Sequence, residues 1–88
     1  MRNKNQRKDV VVVIVGRKNC KWCREARKLC RSKGLKFSYV DLDSSSNADM
    51  LHYFEIEGFK TVPQVWIDGD HVGGFMELKE RFSETSET

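Results

Sequence analysis

Apolar and polar residues along this 88-residue chain alternate between two periods, and the changes of period mark out seven elements. Val10–Val15 is an unbroken β-branched run, which reads as a strand buried on both faces of a sheet. Gly16 to Asn19 make a loop. From Lys21 to Lys33 the residues Trp22, Cys23, Ala26, Leu29 and Cys30 recur at three- and four-residue spacings, the stripe of one helical face, and Gly34 stops that helix. Phe37 to Leu42 is a second strand. Ser44 to Asn47 supply capping residues for a second helix, whose apolar face is Met50, Leu51 and Phe54 and which ends at Gly58. Pro63 to Ile67 is a third strand, Asp68-Gly69-Asp70 a hairpin turn, and His71 and Val72 a short fourth strand closing at Gly73-Gly74. Phe75, Leu78 and Phe82 line a last helix. The order β-α-β-α-β-β-α predicts a small α/β sandwich in which a four-stranded mixed sheet is flanked by three helices. The first two strands are parallel and the hairpin is added antiparallel.

Length and composition narrow this further. Residues 1–88 hold no internal repeat and no linker, so one domain is expected, with its folded part at about residues 9–83. The basic arm 1–8 and the polar tail 84–88 are expected to be flexible. No apolar stretch reaches the roughly 18 residues of a membrane span, and the basic start lacks the apolar core of a signal peptide. A reducing, cytoplasmic setting is therefore expected, and there three cysteines do not make a disulfide framework.

Charge is uneven. Residues 1–33 carry twelve Lys/Arg against two Asp/Glu, and residues 34–88 carry four against eleven. The plain reading is a solvated helix face. The functional one is a positive field that favours a thiolate and attracts anionic partners. No nucleic acid is expected as a partner, because no recognisable module accompanies the basic residues, and no membrane.

The chemistry sits in Cys20-Lys21-Trp22-Cys23. A C-x-x-C directly after a buried strand and directly before a helix is a dithiol placed to cycle with its disulfide. The attacking sulfur must be a thiolate, yet a free cysteine with a pKa of about 8.5 is only roughly 3% ionised at pH 7. Bringing that pKa near 5 takes about 5 kcal/mol. A helix dipole contributes typically about 0.3–1 kcal/mol, so it cannot do this alone. Backbone N–H and thiol hydrogen bonds to Cys20, with Arg17, Lys18 and Lys21 nearby, must provide the rest. Cys20 at the helix start is assigned as nucleophile, and Cys23, one turn deeper, as the resolving thiol. Two ligands at this spacing are too few for a zinc site, so no metal is expected. Cys30 shares the helix face of Cys23 and Ala26 and reads as core, with a regulatory thiol as the alternative. His52 and His71 have no positioned cysteine or acid partner in the sequence and read as structural.

With these residues in view, the chain resembles the glutaredoxin family within the thioredoxin fold. The resemblance covers residues 10–82 and rests on Cys20-Lys-Trp-Cys23, Thr61-Val-Pro63-Gln and Gly73-Gly74 in this order and at these separations. It is most similar to small dithiol glutaredoxins of bacteria or their phages. The resemblance implies a thiol–disulfide oxidoreductase with no bound cofactor, using glutathione as co-substrate. It implies a cis bond before Pro63, otherwise a feature of only about 5–6% of X–Pro bonds. That bond would place the Val62 backbone beside Cys20, where the Val62 N–H and C=O would pair with an extended substrate as an added strand does, with Thr61 and Pro63 also in the substrate-binding set. Arg17, assisted by Lys60, would meet the glycine carboxylate of glutathione. Lys21 flanks the thiol, and Trp22, where a tyrosine is usual, would wall it or else pack in the core. Gly73, Gly74 and Phe75 would lie along the γ-glutamyl end.

Two departures stand out. Lys21 replaces the usual proline, losing a pre-set helix start and adding a cation. Met76 stands where many members have an aspartate or serine that holds the γ-glutamyl group, with Glu77 next. The leading expectation is a monomeric dithiol glutaredoxin that reduces protein disulfides and glutathione mixed disulfides, with ribonucleotide reductase a client by resemblance. One alternative is a glutaredoxin-like redoxin recharged by thioredoxin reductase rather than by glutathione and glutathione reductase. Another is a non-catalytic module that binds a metal, a cluster or acidic partners.

Overall fold

The computed structural model describes residues 10–82; the arm at 1–8 and the tail at 84–88 lie outside the described residues. Strand β1 (Val11–Gly16) is followed by helix α1 (Lys21–Ser32), strand β2 (Lys36–Asp41), a single 3-10 turn at Ser45–Asn47 and helix α2 (Ala48–Glu57). Strands β3 (Gln64–Ile67) and β4 (Asp70–Gly73) and helix α3 (Phe75–Arg81) complete it. Each expected element is present, with ends moved by a residue or two where caps rather than periodicity decide them.

The sheet order is β2-β1-β3-β4. β1 runs parallel to β2, with Val12 opposite Phe37, and antiparallel to β3, with Val12 opposite Ile67. β4 joins β3 as a hairpin whose turn residues Asp68 and Gly69 both take positive φ, 51° and 88°. That conformation matches the twist of the flanking strands and explains the Asp-Gly pair. The sheet is four-stranded and mixed and carries three helices, the thioredoxin-like architecture expected from the sequence.

Because β1 is central, its alternating side chains feed two cores. Val12 and Ile14 pack with Ala26 and Cys30 of α1, Val65 and Ile67 of β3, and Leu78 and Phe82 at α3. Val15 packs with Leu42 and Phe54 on the α2 side, joined by Val13, Met50, Phe59 and Trp66. Val11 departs from the two-sided burial expected of this strand, being 53% exposed at its outer end. Helix α1 ends as its glycine predicts. Gly34 takes φ 68°, and the following Leu35 donates back to the Cys30 carbonyl at 2.9 Å while its side chain is buried. α2 repeats the device: Gly58 has φ 78°, Phe59 N–H donates to the Phe54 carbonyl at 3.1 Å, and the two rings pack at 4.8 Å. Among the described residues no helix is long and apolar enough to cross a membrane.

Cys30 is fully buried, and burial pushes its thiol up to about 11, with the Arg31 charge opposing in smaller measure. Its ordinary value is 9.0. A group with a raised folded-state pKa contributes stability that is complete below the unfolded value and is lost as pH rises through the folded one. The oxidised protein should therefore lose melting temperature between about pH 9 and 11. Cys30→Ala should flatten that decline in thermal melts, leaving a residue from Tyr39, whose hydroxyl is also raised, first by burial. A decline of unchanged size in Cys30→Ala would exclude Cys30 as its source.

Candidate active site

Four segments meet at the C-terminal end of β1: the loop after β1 with the start of α1, the end of β2, the loop before β3, and the β4–α3 junction. Gly16, the last residue of β1, is buried. A methyl built on it would stand 2.5 Å from both Cys23 Sγ and Tyr39 Oη. Only a glycine lets the strand pass so close beneath the helix that carries the cysteines.

Cys20 is the N-cap of α1, with φ −136° and ψ 109°, and its Sγ accepts from the Cys23 backbone N–H at 3.1 Å. Cys20 is half-buried and Cys23 fully buried, the order of exposure expected for an outer and an inner thiol. The two sulfurs are paired as a disulfide, with Cα atoms 5.2 Å apart. The Cys23 N–H at the helix start is a donor of the kind that stabilises a thiolate at Cys20 once the disulfide is reduced.

The Val62–Pro63 bond is cis, and the Val62 carbonyl lies 3.9 Å from Cys20 Sγ. A groove of about 270 Å³ opens beside it, lined by Trp22, Phe75 and Met76, by Thr61, Val62 and Pro63, and by Gly74 and Glu77. Trp22 and Phe75 pack with ring centroids 5.2 Å apart, and Trp22 is 50% exposed. Core packing is thereby ruled out for this side chain. At the first turn of α1 it has no turn before it to cover it, so it leans on α3. Lys21 Nζ lies 5.1 Å from the centre of the Trp22 ring.

A smaller cavity of about 70 Å³ also touches Thr61 and Val62, and Arg17 and Lys60 line it. Arg17 already holds a carboxylate, donating from Nη1 to Asp43 Oδ1 at 2.7 Å, while Asp43 Oδ2 accepts from Lys18 N–H at 3.2 Å. These two hydrogen bonds, the backbone one first, hold the Asp43 carboxyl below its ordinary value. Both partners are partly exposed, and such pairs are weak, so a ligand carboxylate can share or displace Asp43 on the five-donor guanidinium. On the other side, Glu77 Oε1 accepts from Gly74 N–H at 2.8 Å, which holds the Glu77 carboxyl low.

The residues singled out from the sequence divide between two cavities and other places: Cys30 lies in the core and His52 on an exposed face of α2, and Lys21 lines neither cavity. Thr61 and Val62 border both cavities, Trp22, Pro63, Gly74 and Phe75 the larger one, and Arg17 and Lys60 the smaller. Asp43, the partner of Arg17, was not anticipated: 26 residues separate them, and a polar Asp43-Ser44-Ser45 run reads only as a turn. Nor was the bond between His71 and Gln64. His52 does have an acid neighbour, Glu55 at 4.0 Å, on an exposed face of α2. A larger concavity, about 720 Å³, lies elsewhere, between α2 and the outer end of β1, among Val11, Val13, Met50, Tyr53 and Trp66. It contains no cysteine and no group suited to sulfur chemistry.

Comparison with known proteins agrees with the geometry. The sequence model described as Glutaredoxin matches residues 12–72. The chain is similar to Glutaredoxin-C2 of Arabidopsis thaliana, 35% identical over 65 residues, covering 72% of this chain but only 59% of that protein. It is similar to Glutaredoxin 3 of Escherichia coli (strain K12), 34% identical over 67 residues, covering 76% of this chain and 80% of that one. Among solved structures, the buckwheat glutaredoxin–glutathione complex superposes with a TM-score of 0.67 at 26% identity, covering 91% of this chain and 76% of its own.

Proposed function

This chain belongs to the glutaredoxin family of thiol–disulfide oxidoreductases, and from that premise we propose that it is a glutathione-dependent dithiol glutaredoxin. The observation that carries the reading is Cys20: a half-buried N-cap sulfur that faces the Val62 carbonyl, itself part of the groove wall, and is backed by Cys23.

The exchange balances without any bound cofactor. With a glutathione mixed disulfide, the Cys20 thiolate attacks the glutathione sulfur, the protein thiolate leaves, and a Cys20–glutathione disulfide forms. A second glutathione thiolate releases Cys20 and leaves as oxidised glutathione. With a protein disulfide, Cys20 forms a mixed disulfide with one client sulfur. Cys23 then attacks the Cys20 sulfur, the client leaves as a dithiol, and two glutathione molecules reduce the Cys20–Cys23 pair. Arg17 and Lys60 suit the glycine carboxylate. Thr61 and Val62 offer backbone to an extended chain, while Trp22, Pro63, Gly74 and Phe75 bound the groove and Lys21 lies over the Trp22 ring. The glutathione held by the buckwheat relative is consistent with such a ligand here. We place the protein in a reducing cytoplasm as a single-domain monomer, with disulfide-bearing proteins, ribonucleotide reductase among the candidates, as clients.

Met76 favours a second reading, recharging by thioredoxin reductase. It is 58% exposed at the groove and offers no hydrogen bond to an amino-acid end. Turnover of a small mixed disulfide should be measured with glutathione plus glutathione reductase and, separately, with thioredoxin reductase alone. We expect turnover with glutathione, and Met76→Asp should lower the glutathione KM by roughly 3–10-fold through one added polar contact. Turnover with thioredoxin reductase only would move the protein to the second reading. A non-catalytic module would instead show two ordinary thiols in an iodoacetamide titration against pH.

A further inference from the structure

The segment from Phe59 to Pro63 carries the carbonyl that faces Cys20, and a chain of side chains from β4 reaches it. Gln64 is a buried polar residue, 8% exposed, and both ends of its amide are hydrogen-bonded inside the fold. Nε2 donates to the Thr61 carbonyl at 3.0 Å and to Thr61 Oγ1 at 3.3 Å. Oε1 meets His71 Nε2 at 2.7 Å. Only the amide nitrogen can face a carbonyl, so the oxygen is turned to His71 and Nε2 of the imidazole is the donor. The neutral Nε2–H tautomer and the imidazolium both supply that proton.

The imidazole does more than donate. Its ring packs against Phe59 at 5.0 Å and against Trp66 at 4.9 Å, and Phe59 is in turn held by Phe54. The segment is therefore gripped at two points, by ring packing at Phe59 and by hydrogen bonds at Thr61, and His71 belongs to both grips.

We propose that Gln64 and His71 are positioning residues for the dithiol site, fixing Thr61 and, one residue on, the Val62 carbonyl 3.9 Å from Cys20 Sγ. Neither residue lines the groove. Both act through the backbone against which a substrate chain lies. The proposal rests on the glutaredoxin reading for its kinetic consequence, but not for its structural one.

Three variants test it. His71→Phe keeps the ring packing and drops the donor, and His71→Gln restores an N–H. Gln64→Glu sets an acceptor against the Thr61 carbonyl. Each is assayed for kcat and KM with a glutathionylated cysteine peptide, for melting temperature, and for backbone 15N order parameters at Thr61 and Val62. One lost hydrogen bond should raise KM roughly 5-fold in His71→Phe, and the acceptor clash roughly 10-fold in Gln64→Glu, with kcat little changed. Order should fall at Thr61 and Val62, and His71→Gln, which returns the N–H without the ring, should recover part of both readouts. A fall in melting temperature with KM and order unchanged would show a purely structural pair and overturn the proposal. If Gln64→Glu does not fold, His71→Phe, a change at an exposed side chain, decides. If the unaltered protein turns over no mixed disulfide, the functional reading fails by itself. The order parameters still decide the positioning role: loss at Thr61 and Val62 supports it, and no loss overturns it.

Discussion

Cys20→Ser should abolish turnover, by at least about 10³-fold, because a serine hydroxyl at this site has no base to activate it and cannot replace a thiolate nucleophile. Cys23→Ser should divide the two activities. Glutathione mixed disulfides need only the outer thiol and should still be reduced at a rate within roughly 10-fold of the unaltered protein. Protein disulfides need the second attack and should stall as a trapped Cys20–client adduct. The asymmetry follows from placement, since Cys20 is half-buried at the helix cap and Cys23 is fully buried beneath it. Both rates are read from one assay with a glutathionylated peptide and a disulfide-bonded protein, and mass spectrometry identifies the adduct. Retained activity in Cys20→Ser would reverse the roles. Equal loss of both activities in Cys23→Ser would remove the division between them.

Gly16→Ala should be strongly damaging for a change of a single methyl. The added carbon would meet Cys23 Sγ and Tyr39 Oη at 2.5 Å and Cys23 Cβ at 3.0 Å. The tyrosine hydroxyl is the far end of a side chain but is tied to the Arg17 carbonyl at 2.9 Å, and Cys23 is fixed on α1. Relief must come from lifting the helix start. Overpacking of this kind costs about 1–3 kcal/mol, which for a domain of this size lowers Tm by on the order of 5–20 °C. Lifting Cys23 should also slow the resolving step more than the first attack. Denaturant titration of the oxidised protein measures the first effect. A variant within about 0.5 kcal/mol of the parent would show that the layer beneath the dithiol yields easily.

Much of this was legible in the residue pattern, and the limits have physical causes. The β-branched run, the helical stripe ending at Gly34 and the Asp68-Gly69 turn are local codes, each read within a few residues. The burial order of Cys20 and Cys23 follows from helix geometry alone. The cis bond at Pro63 was legible only through resemblance, because most X–Pro bonds are trans. Trp22 sits beside Cys23 at the edge of the apolar stripe, and the periodicity cannot say that the helix end leaves it uncovered. The Arg17–Asp43 pair and the Gln64–His71 bond form through space between different elements. Hydrophobic patterning holds no information about which polar side chains will meet.

The strand that supports the reactive sulfurs is the first of the seven elements, yet it lies in the middle of the sheet. Val12 must find Phe37 on one side and Ile67 on the other before its backbone is fully paired. During synthesis, β1 and both active cysteines therefore leave the ribosome before β3 emerges to complete their surroundings. Over that interval the nascent chain presents an unpaired apolar strand together with two thiols that the fold has not yet shielded. Pausing translation before β3 has left the ribosome would prolong that exposed state, and emergence of β3 would end it.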